Sequence, residues 1–188
     1  LAGLATLASC GGGEKAELAK PLNIVYIMTD DHTRQMMSSY DNRHIETPNL
    51  DRISQGGVLF ENAFVCNSIS GPSRAALLTG KHSHKNGKMD NHTTFDGSQQ
   101  TVQELLKGAG YQTAMIGKWH LEGTPTNFDF WEILPGQGSY YNPDFITAEG
   151  NTHYDGYVTD IITDMSINWM ENERDKEDIR PKQYYESR

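Results

Sequence analysis

The chain has 188 residues, which is long enough for one domain with a substantial hydrophobic core. Apolar residues make up 36% of it, and 18 glycines with 7 prolines are typical of a globular, loop-rich protein rather than a disordered one. The net charge of −9 argues against nucleic acid as a partner, but it permits an anionic ligand, because cations gathered in one cleft create a local positive field.

The N-terminal residues differ in composition from the rest of the chain. An apolar run that ends in small side chains precedes Cys10, and three glycines follow it. Residues 7–10 (LASC) resemble a bacterial lipobox, in which the cysteine is lipidated and becomes the mature N-terminus; an unlipidated secretory signal and a chance apolar run are the alternatives. We set residues 1–20 aside as a signal remnant and tether. The expected location is the periplasm or the outer-membrane surface of a bacterium, with membrane contact only through a lipid anchor at Cys10.

The first predicted elements are two strands separated by a helix. Residues 22–29 (LNIVYIMT) are almost all apolar, as expected of a strand buried on both faces of a parallel sheet. This strand runs directly into Asp30 and Asp31. A threonine followed by proline predicts a helix over residues 47–56, which ends at glycine. Residues 58–64 form the second predicted strand.

The next predicted helix begins near Ser70 and ends at Gly80, since Pro72 suits a first turn and the residues that follow favour helix. Ser70 then lies at the helix N-terminus, where unpaired N–H groups and the helix dipole favour an anion. Arg74 follows one turn later on the same face, and its guanidinium suits an oxygen-rich group. The same residues also fit an ordinary capping serine that opens a short core helix.

The remaining elements alternate between helix and strand. A capping box at residues 101–104 opens a helix that closes near Gly108. Residues 111–116 are a third predicted strand, with Lys118 and His120 at its C-terminal end, where they share one face if the chain stays extended. The same two residues also fit a surface lysine and a histidine beside a packed tryptophan.

A short strand is predicted over residues 128–134, and an amphipathic helix over residues 157–170. Residues 135–156 are rich in Gly, Pro, Tyr and Asn and are predicted to be an ordered surface loop. Cys66 has no obvious partner, and we expect a buried thiol.

Alternating strands and helices predict an α/β fold with a mixed, mostly parallel sheet sandwiched by helices. Ligands bind outside the carboxyl ends of the strands in such sheets. Three groups of polar residues are predicted to lie there, and they are Asp30 with Asp31, residues 70–74, and Lys118 with His120.

Residues 70–74 (SGPSR) followed by residues 78–80 (LTG) resemble the S/C-x-P-S-R-x-x-x-x-T-G signature of the type I sulfatases. The resemblance covers roughly residues 22–170 and implies an alkaline-phosphatase- or sulfatase-like fold. It also implies that a formylglycine-generating maturation enzyme oxidises Ser70 to formylglycine. The hydrated aldehyde carries two hydroxyls, one to attack sulfur and one to expel sulfate afterwards.

The resemblance also implies roles for other residues of the three groups. Asp30 and Asp31 would bind a calcium ion that also contacts the formylglycine at position 70. The alternative for this pair is a turn after a strand without a metal. Arg74 and Lys118 would offset the charge of the sulfate, and His120 would lie beside the formylglycine and take a proton from it. Of the histidines after the signature helix, we name His84 as the one that contacts substrate.

Further segments resemble the bacterial N-acetylglucosamine-6-O-sulfatases, which act on sulfated glycosaminoglycans. These segments are residues 80–84, 96–101, 128–138 and 141–145. The expected substrate is therefore a sulfated oligosaccharide with a 6-O-sulfate on N-acetylglucosamine. Residues 21–188 are expected to form the N-terminal part of the catalytic domain and to be inactive alone, because the leaving-group acid and further calcium ligands are not found in them. The alternatives are a phosphatase or phosphodiesterase of the alkaline-phosphatase superfamily, and a lipoprotein that binds sulfated glycans without cutting them.

Overall fold

The computed structural model describes residues 22–175, so Cys10 and the tether of residues 1–20 lie outside the described residues. Within residues 22–175 the chain forms five α-helices and four strands. The helices are α1 (Pro48–Gly56), α2 (Ser70–Thr79), α3 (Ser83–Asn86), α4 (Val102–Gly108) and α5 (Val158–Asn168). The strands are β1 (Ala114–Lys118), β2 (Phe130–Leu134), β3 (Asp144–Thr147) and β4 (Asn151–His153). A 3-10 turn (Arg34–Met36) precedes α1, and a π-helical turn (Trp169–Glu173) follows α5.

The four strands form one mixed sheet in the order β1-β2-β3-β4. β1 and β2 are parallel and in register from Ala114 opposite Phe130 to Lys118 opposite Leu134, whereas β2–β3 and β3–β4 are antiparallel. The expected α/β class with a mixed sheet is confirmed. One of the three pairings in residues 22–175 is parallel, so the sheet described here is less parallel than the sequence led us to expect.

Helices cover both faces of the sheet. Ile133 and Leu134 are consecutive residues of β2 and point to opposite faces. Ile133 belongs to a core cluster with Ala75 of α2, whereas Leu134 packs in a second cluster with Phe145 of β3 and Val158 of α5. The sheet is therefore held between α2 and α5, and α2 approaches it from the face on which Trp119 is buried.

Two predicted strands are wrong for the described residues. Residues 22–29 and 58–64 form no strand. Leu22, Ile24 and Phe60 are more than 60% exposed. A strand needs a neighbour that accepts and donates its backbone hydrogen bonds, and no described strand pairs with either segment. Apolar composition identified both segments as suited to a buried sheet, but composition does not specify a partner.

Two further expectations are corrected by the structure. Residues 135–156, predicted as a loop, contain β3 and β4, and Phe145 of β3 is completely buried. The two strands are joined by a tight turn, in which the Thr147 N–H donates to the Gly150 carbonyl at 2.8 Å and Gly150 has a φ of +135°. Cys66, expected to be buried, is exposed.

The helix predictions agree with the structure to within a few residues. α2 begins at Ser70, and Gly80 follows it in the left-handed conformation at φ +65°. α4 opens with the predicted capping interaction, in which the Thr101 N–H donates to the Glu104 carboxylate at 3.4 Å. The predicted strands over residues 111–116 and 128–134 are observed as β1 and β2. No helix within residues 22–175 is long and apolar enough to cross a lipid bilayer.

Candidate active site

The hydroxyl of Ser70, at the start of α2, does not cap the helix. The N-cap position is Ile69, and the Ser70 Oγ instead lies 2.9 Å from Nδ1 of His120 and accepts a hydrogen bond from Nε of Arg74 at 3.2 Å. The ordinary capping serine that the sequence left open is therefore not what the structure contains. This hydroxyl is held between an imidazole and a guanidinium.

The start of α2 also offers fewer free N–H groups than the sequence led us to expect. The Gly71 N–H donates to Oδ1 of Asn91 at 2.8 Å, Pro72 has no N–H, and the Ser73 N–H donates to the Ile69 carbonyl at 2.9 Å. An anion beside Ser70 must therefore be held by charged side chains rather than by these three backbone positions.

Arg74 joins α2 to the end of β1. Its side chain is about one-tenth exposed, and its Nη1 donates to the Lys118 carbonyl at 2.6 Å while its Nη2 lies 3.7 Å from Oδ2 of Asp30. Burial lowers the pKa of this guanidinium, and the charge of Asp30 acts in the opposite direction. Because an arginine stays protonated under all ordinary conditions, the site contains a fixed and largely desolvated positive charge.

Lys118 and His120 reach the same cluster by different routes. Lys118 is the last residue of β1, and Trp119, only 4% exposed, anchors the chain between them. His120 has a φ of +51°, so the chain turns there instead of continuing as an extended strand. The turn directs the imidazole to Ser70. The Lys118 ammonium, at the end of the strand, reaches the carboxylate of Asp30 instead.

Asp30 and Asp31 are adjacent in sequence but differ in their contacts. Asp30 binds Lys118 and lies near Arg74. Burial alone would raise the pKa of Asp30, but the hydrogen bond from Lys118 and the positive charges around it outweigh burial, so the pKa lies below its ordinary value. Asp31 is exposed, has a φ of +49°, and makes no hydrogen bond or ion pair within residues 22–175.

The described residues do not complete a calcium site. Calcium takes roughly six to eight oxygen ligands, and residues 22–175 contain no group of three or more His, Cys, Asp and Glu side chains arranged to hold a metal. Asp30 is already neutralised by two cations. Asp30 and Asp31 are chemically suitable donors, but they are too few by themselves.

His120 is held in its neutral form by its surroundings. Burial is the largest influence, followed by the charges of Lys118, Arg74 and Lys88, and together they hold the pKa of His120 below its ordinary value of 6.5. A neutral imidazole whose Nδ1 is unprotonated accepts a proton from the hydroxyl at position 70. His120 is therefore placed to accept a hydrogen bond from the Ser70 hydroxyl when its Nδ1 is unprotonated.

Of the predicted site residues, the structure brings together Asp30, Ser70, Arg74, Lys118 and His120. It does not bring His84 to them. His84 is exposed on α3, its ring stacks on that of His82 with 5.9 Å between centroids, and it makes no hydrogen bond or ion pair to the cluster.

Three residues of the site region were missed from the sequence, namely Lys88, Asn91 and Gln137. Gln137 accepts a hydrogen bond from Nζ of Lys118 at 2.5 Å. It follows β2, which is parallel to β1, so the rule that ligands bind at carboxyl ends of strands could have identified it. Lys88 and Asn91 act on backbone groups, and no local pattern in the sequence indicates such contacts.

An activated hydroxyl between a base and two cations suits the transfer of an anionic group. The cluster also lies at the carboxyl end of β1, where α/β proteins bind ligands. Fold and site together define an α/β protein with a cluster suited to binding an anionic group at the carboxyl end of its sheet.

The particular family is the sulfatases. A family model described as Sulfatase matches residues 22–179, and the chain belongs to this family. It is 55% identical over 174 residues to the N-acetylglucosamine-6-O-sulfatase of Bacteroides thetaiotaomicron, a match that covers 91% of this chain and 31% of that protein. It is 36% identical over 131 residues to the human N-acetylgalactosamine-6-sulfatase, covering 60% of this chain and 25% of that protein.

The fold is also similar to solved structures. One is the structure of BT4656 in complex with its substrate D-glucosamine-2-N,6-O-disulfate, with a TM-score of 0.79 and 57% identity over 82% of this chain and 32% of that one. The chain thus spans about a third of the length of this structure and of the Bacteroides relative.

The pKa of His120 is directly testable. We expect its imidazole to titrate below 6.5 in NMR spectra recorded against pH, and Lys118→Met to raise that pKa because one positive charge is removed. Lys107→Met is the control, since Lys107 pairs with Asp129 and not with the cluster. The neutral imidazole stabilises the fold fully above pH 6.5, and this stabilisation is lost as the pH falls through the lower folded-state pKa. A wild-type His120 pKa at or above 6.5 would contradict this account.

Proposed function

We propose that the protein is a sulfatase that hydrolyses the 6-O-sulfate of N-acetylglucosamine in sulfated glycosaminoglycan oligosaccharides. The activity is proposed for the whole protein, and the chain spans about a third of the length of the relatives it matches. The substrate proposal is supported by 55% identity to an N-acetylglucosamine-6-O-sulfatase and by similarity to a structure that contains a glucosamine disulfate. The observation that carries the proposal is the hydroxyl of Ser70 held between His120 and Arg74.

We also propose that a maturation enzyme converts Ser70 to formylglycine. The Ser70 Oγ stands where one oxygen of that group would lie, and its two partners, an imidazole and a guanidinium N–H, fit an oxygen that must be deprotonated and oriented. When present and hydrated, formylglycine supplies one hydroxyl to attack sulfur and a second whose deprotonation releases sulfate.

The residues of this chain divide the remaining work among them. His120, neutral near pH 7, takes a proton from an oxygen at position 70. Arg74 orients that oxygen through Nε, and Arg74 and Lys118 together offset the negative charge of the sulfate ester. In the structure Asp30 forms ion pairs with both cations, so a bound sulfate would compete with Asp30 for them.

We also propose that Asp30 and Asp31 are ligands of a calcium ion. Asp30 and Asp31 supply hard carboxylate oxygens of the kind calcium prefers. Further oxygen ligands are needed, because no third His, Cys, Asp or Glu side chain joins them in a metal-binding group within residues 22–175.

The first test is Ser70→Ala in the whole protein. We expect sulfate release from N-acetylglucosamine-6-sulfate to be abolished, because no hydroxyl or aldehyde remains at position 70. Stability should fall by only about 1–3 kcal/mol, because the hydroxyl loses its contacts with His120 and Arg74. Ser166→Ala is the matched control, since the Ser166 hydroxyl donates to the Ile162 carbonyl on α5, remote from the cluster. The control should keep wild-type activity.

Peptide mass at position 70 sharpens this test. An aldehyde there supports the sulfatase, whereas unmodified serine with retained sulfated-glycan binding supports a lectin-like role instead. Activity above about a tenth of wild type in Ser70→Ala would refute the formylglycine assignment.

Removal of calcium provides a second test. If Asp30 and Asp31 bind calcium, chelation should lower both activity and the melting temperature, and for calcium present at a hundredfold its Kd the loss is about 2.7 kcal/mol. Asp31→Asn should reduce this dependence, whereas Asp164→Asn, an exposed change on α5, should not. A melting temperature that does not respond to chelator would leave the pair as a turn.

We propose further that Cys10 is lipidated and anchors the protein in the periplasm or at the outer-membrane surface. The proposal rests on the residues that precede Cys10. Cells fed a labelled fatty acid should incorporate the label into the wild-type protein, and Cys10→Ala should abolish labelling and move the protein from the membrane to the soluble fraction. Equal membrane association of Cys10→Ala would contradict the anchor.

A further inference from the structure

Lys88 is a buried lysine whose charge helps to lower the pKa of His120 but which makes no direct contact with Ser70 or His120 through its ammonium group. It is completely inaccessible to solvent and makes no ion pair within residues 22–175. Its Nζ donates instead to two backbone carbonyls, that of Asn91 at 3.3 Å and that of Thr93. Burial lowers the pKa of Lys88, opposed by the charges of Glu122 and Asp90. Because burying an ammonium group is unfavourable, the contacts that it makes point to a specific structural task.

Those contacts fold residues 88–93 into a tight loop. The Lys88 N–H donates to Oδ1 of Asn86 at 2.9 Å, and Oδ1 of Asp90 accepts from the Thr93 N–H at 2.7 Å. With its own carbonyl held by Lys88, Asn91 directs its side chain to the start of α2. There its Oδ1 accepts the Gly71 N–H at 2.8 Å.

The loop and the site meet at Gly71 without spare room. A Cβ added there would lie 2.7 Å from Cε of Lys88, 3.1 Å from Oδ1 of Asn91 and 3.1 Å from the carbonyl of His120. Lys88 cannot move aside easily, because it is fully enclosed. The peptide between Ser70 and Gly71 is therefore fixed by one hydrogen bond and by packing from two other segments.

We propose that Lys88 and Asn91 are positioning residues for position 70. Lys88 holds the backbone of residues 91 and 93, and Asn91 holds the Gly71 N–H, so that the group at position 70 stays aimed at His120 and Arg74. Neither residue touches the substrate in this assignment. The inference rests on the proposed sulfatase function for its consequence in catalysis, but the geometry it describes is testable separately.

The kinetic test uses the whole protein and the substitutions Asn91→Leu and Asn91→Asp. Asn91→Leu keeps the size but removes the acceptor for Gly71, and misplacement of the reacting group should lower kcat on the order of tenfold to a hundredfold. KM should stay within about twofold, since Arg74 and Lys118 remain in place. Asn91→Asp keeps an acceptor oxygen and should restore most of kcat.

Asn142→Leu is the matched control. Oδ1 of Asn142 accepts the Gly156 N–H at 2.8 Å, the same bond at the same length, in a part of the chain without contact to Ser70. Asn142 has a φ of +49°, so a leucine is more strained there and the control should lose at least as much stability. A purely structural role for Asn91 predicts that both leucine variants lose activity in proportion to stability.

A second measurement is independent of catalysis. Hydrogen exchange of the Gly71 amide in the whole protein should be slow in wild type and in Asn91→Asp. It should be fast in Asn91→Leu and in Lys88→Met, which releases the carbonyls of residues 91 and 93, while amides in the middle of α2 stay protected.

The outcomes separate this inference from the proposed function. Unchanged kcat in Asn91→Leu, or an equal loss of kcat in Asn142→Leu, would overturn the positioning role. Unchanged Gly71 exchange in Asn91→Leu would overturn the geometry itself. A wild-type protein that releases no sulfate would refute the proposed function, and the exchange measurement would still decide whether Asn91 and Lys88 hold position 70.

Discussion

The buried guanidinium of Arg74 is the interaction on which the rest of the site depends. Two of its nitrogens donate hydrogen bonds, one to the Ser70 hydroxyl of its own helix and one to the Lys118 carbonyl at the end of β1. The third lies 3.7 Å from the carboxylate of Asp30. A lysine has one nitrogen and no planar fork, so it could not make these contacts at once. The helix, the sheet edge and the N-terminal segment of the described chain are joined by this one side chain.

Charge balance follows from that arrangement. The chain carries a net charge of −9, yet Lys118 and Arg74 converge on one carboxylate, and they keep His120 neutral. A cluster of cations in a protein of opposite overall charge creates a local field that attracts anions. Burial is the largest reason why the pKa of His120 is lowered, and the same field lowers it further, so the cations that attract an anion also help to keep the imidazole neutral.

Much of this site could be predicted from the sequence, because local sequence patterns indicate the positions of most of its residues. Ser70 and Arg74 are one helical turn apart, and Lys118 and His120 follow a strand. Lys88 and Asn91 could not be predicted, since they act on backbone groups of residues distant in sequence. The turn at His120 was likewise hidden, because a positive φ at a histidine has no sequence signal.

The fold was predictable where an element forms its own hydrogen bonds and less so where it needs a partner. In the sequence, Pro72 marks the start of α2 and Gly80 its end, and a capping box marks the start of α4. Residues 22–29 have the composition of a buried strand but no neighbouring strand among the described residues. The short strands β3 and β4 were obscured by the glycines and asparagine that flank them, although Phe145 is completely buried.

The occupied N–H groups at the start of α2 have a consequence for selectivity between esters. A site that binds an anion through backbone amides recognises the positions of its oxygen acceptors, and these positions are similar in sulfate and phosphate esters. With Gly71, Pro72 and Ser73 unable to donate, recognition falls to Arg74 and Lys118, with Asp30 beside them. Such a site distinguishes anions mainly by their charge. Two cations and one carboxylate leave the cluster with a single net positive charge. That charge balances the one negative charge of a sulfate ester but not the two of a phosphate monoester dianion, so charge balance, more than shape, distinguishes the two kinds of ester.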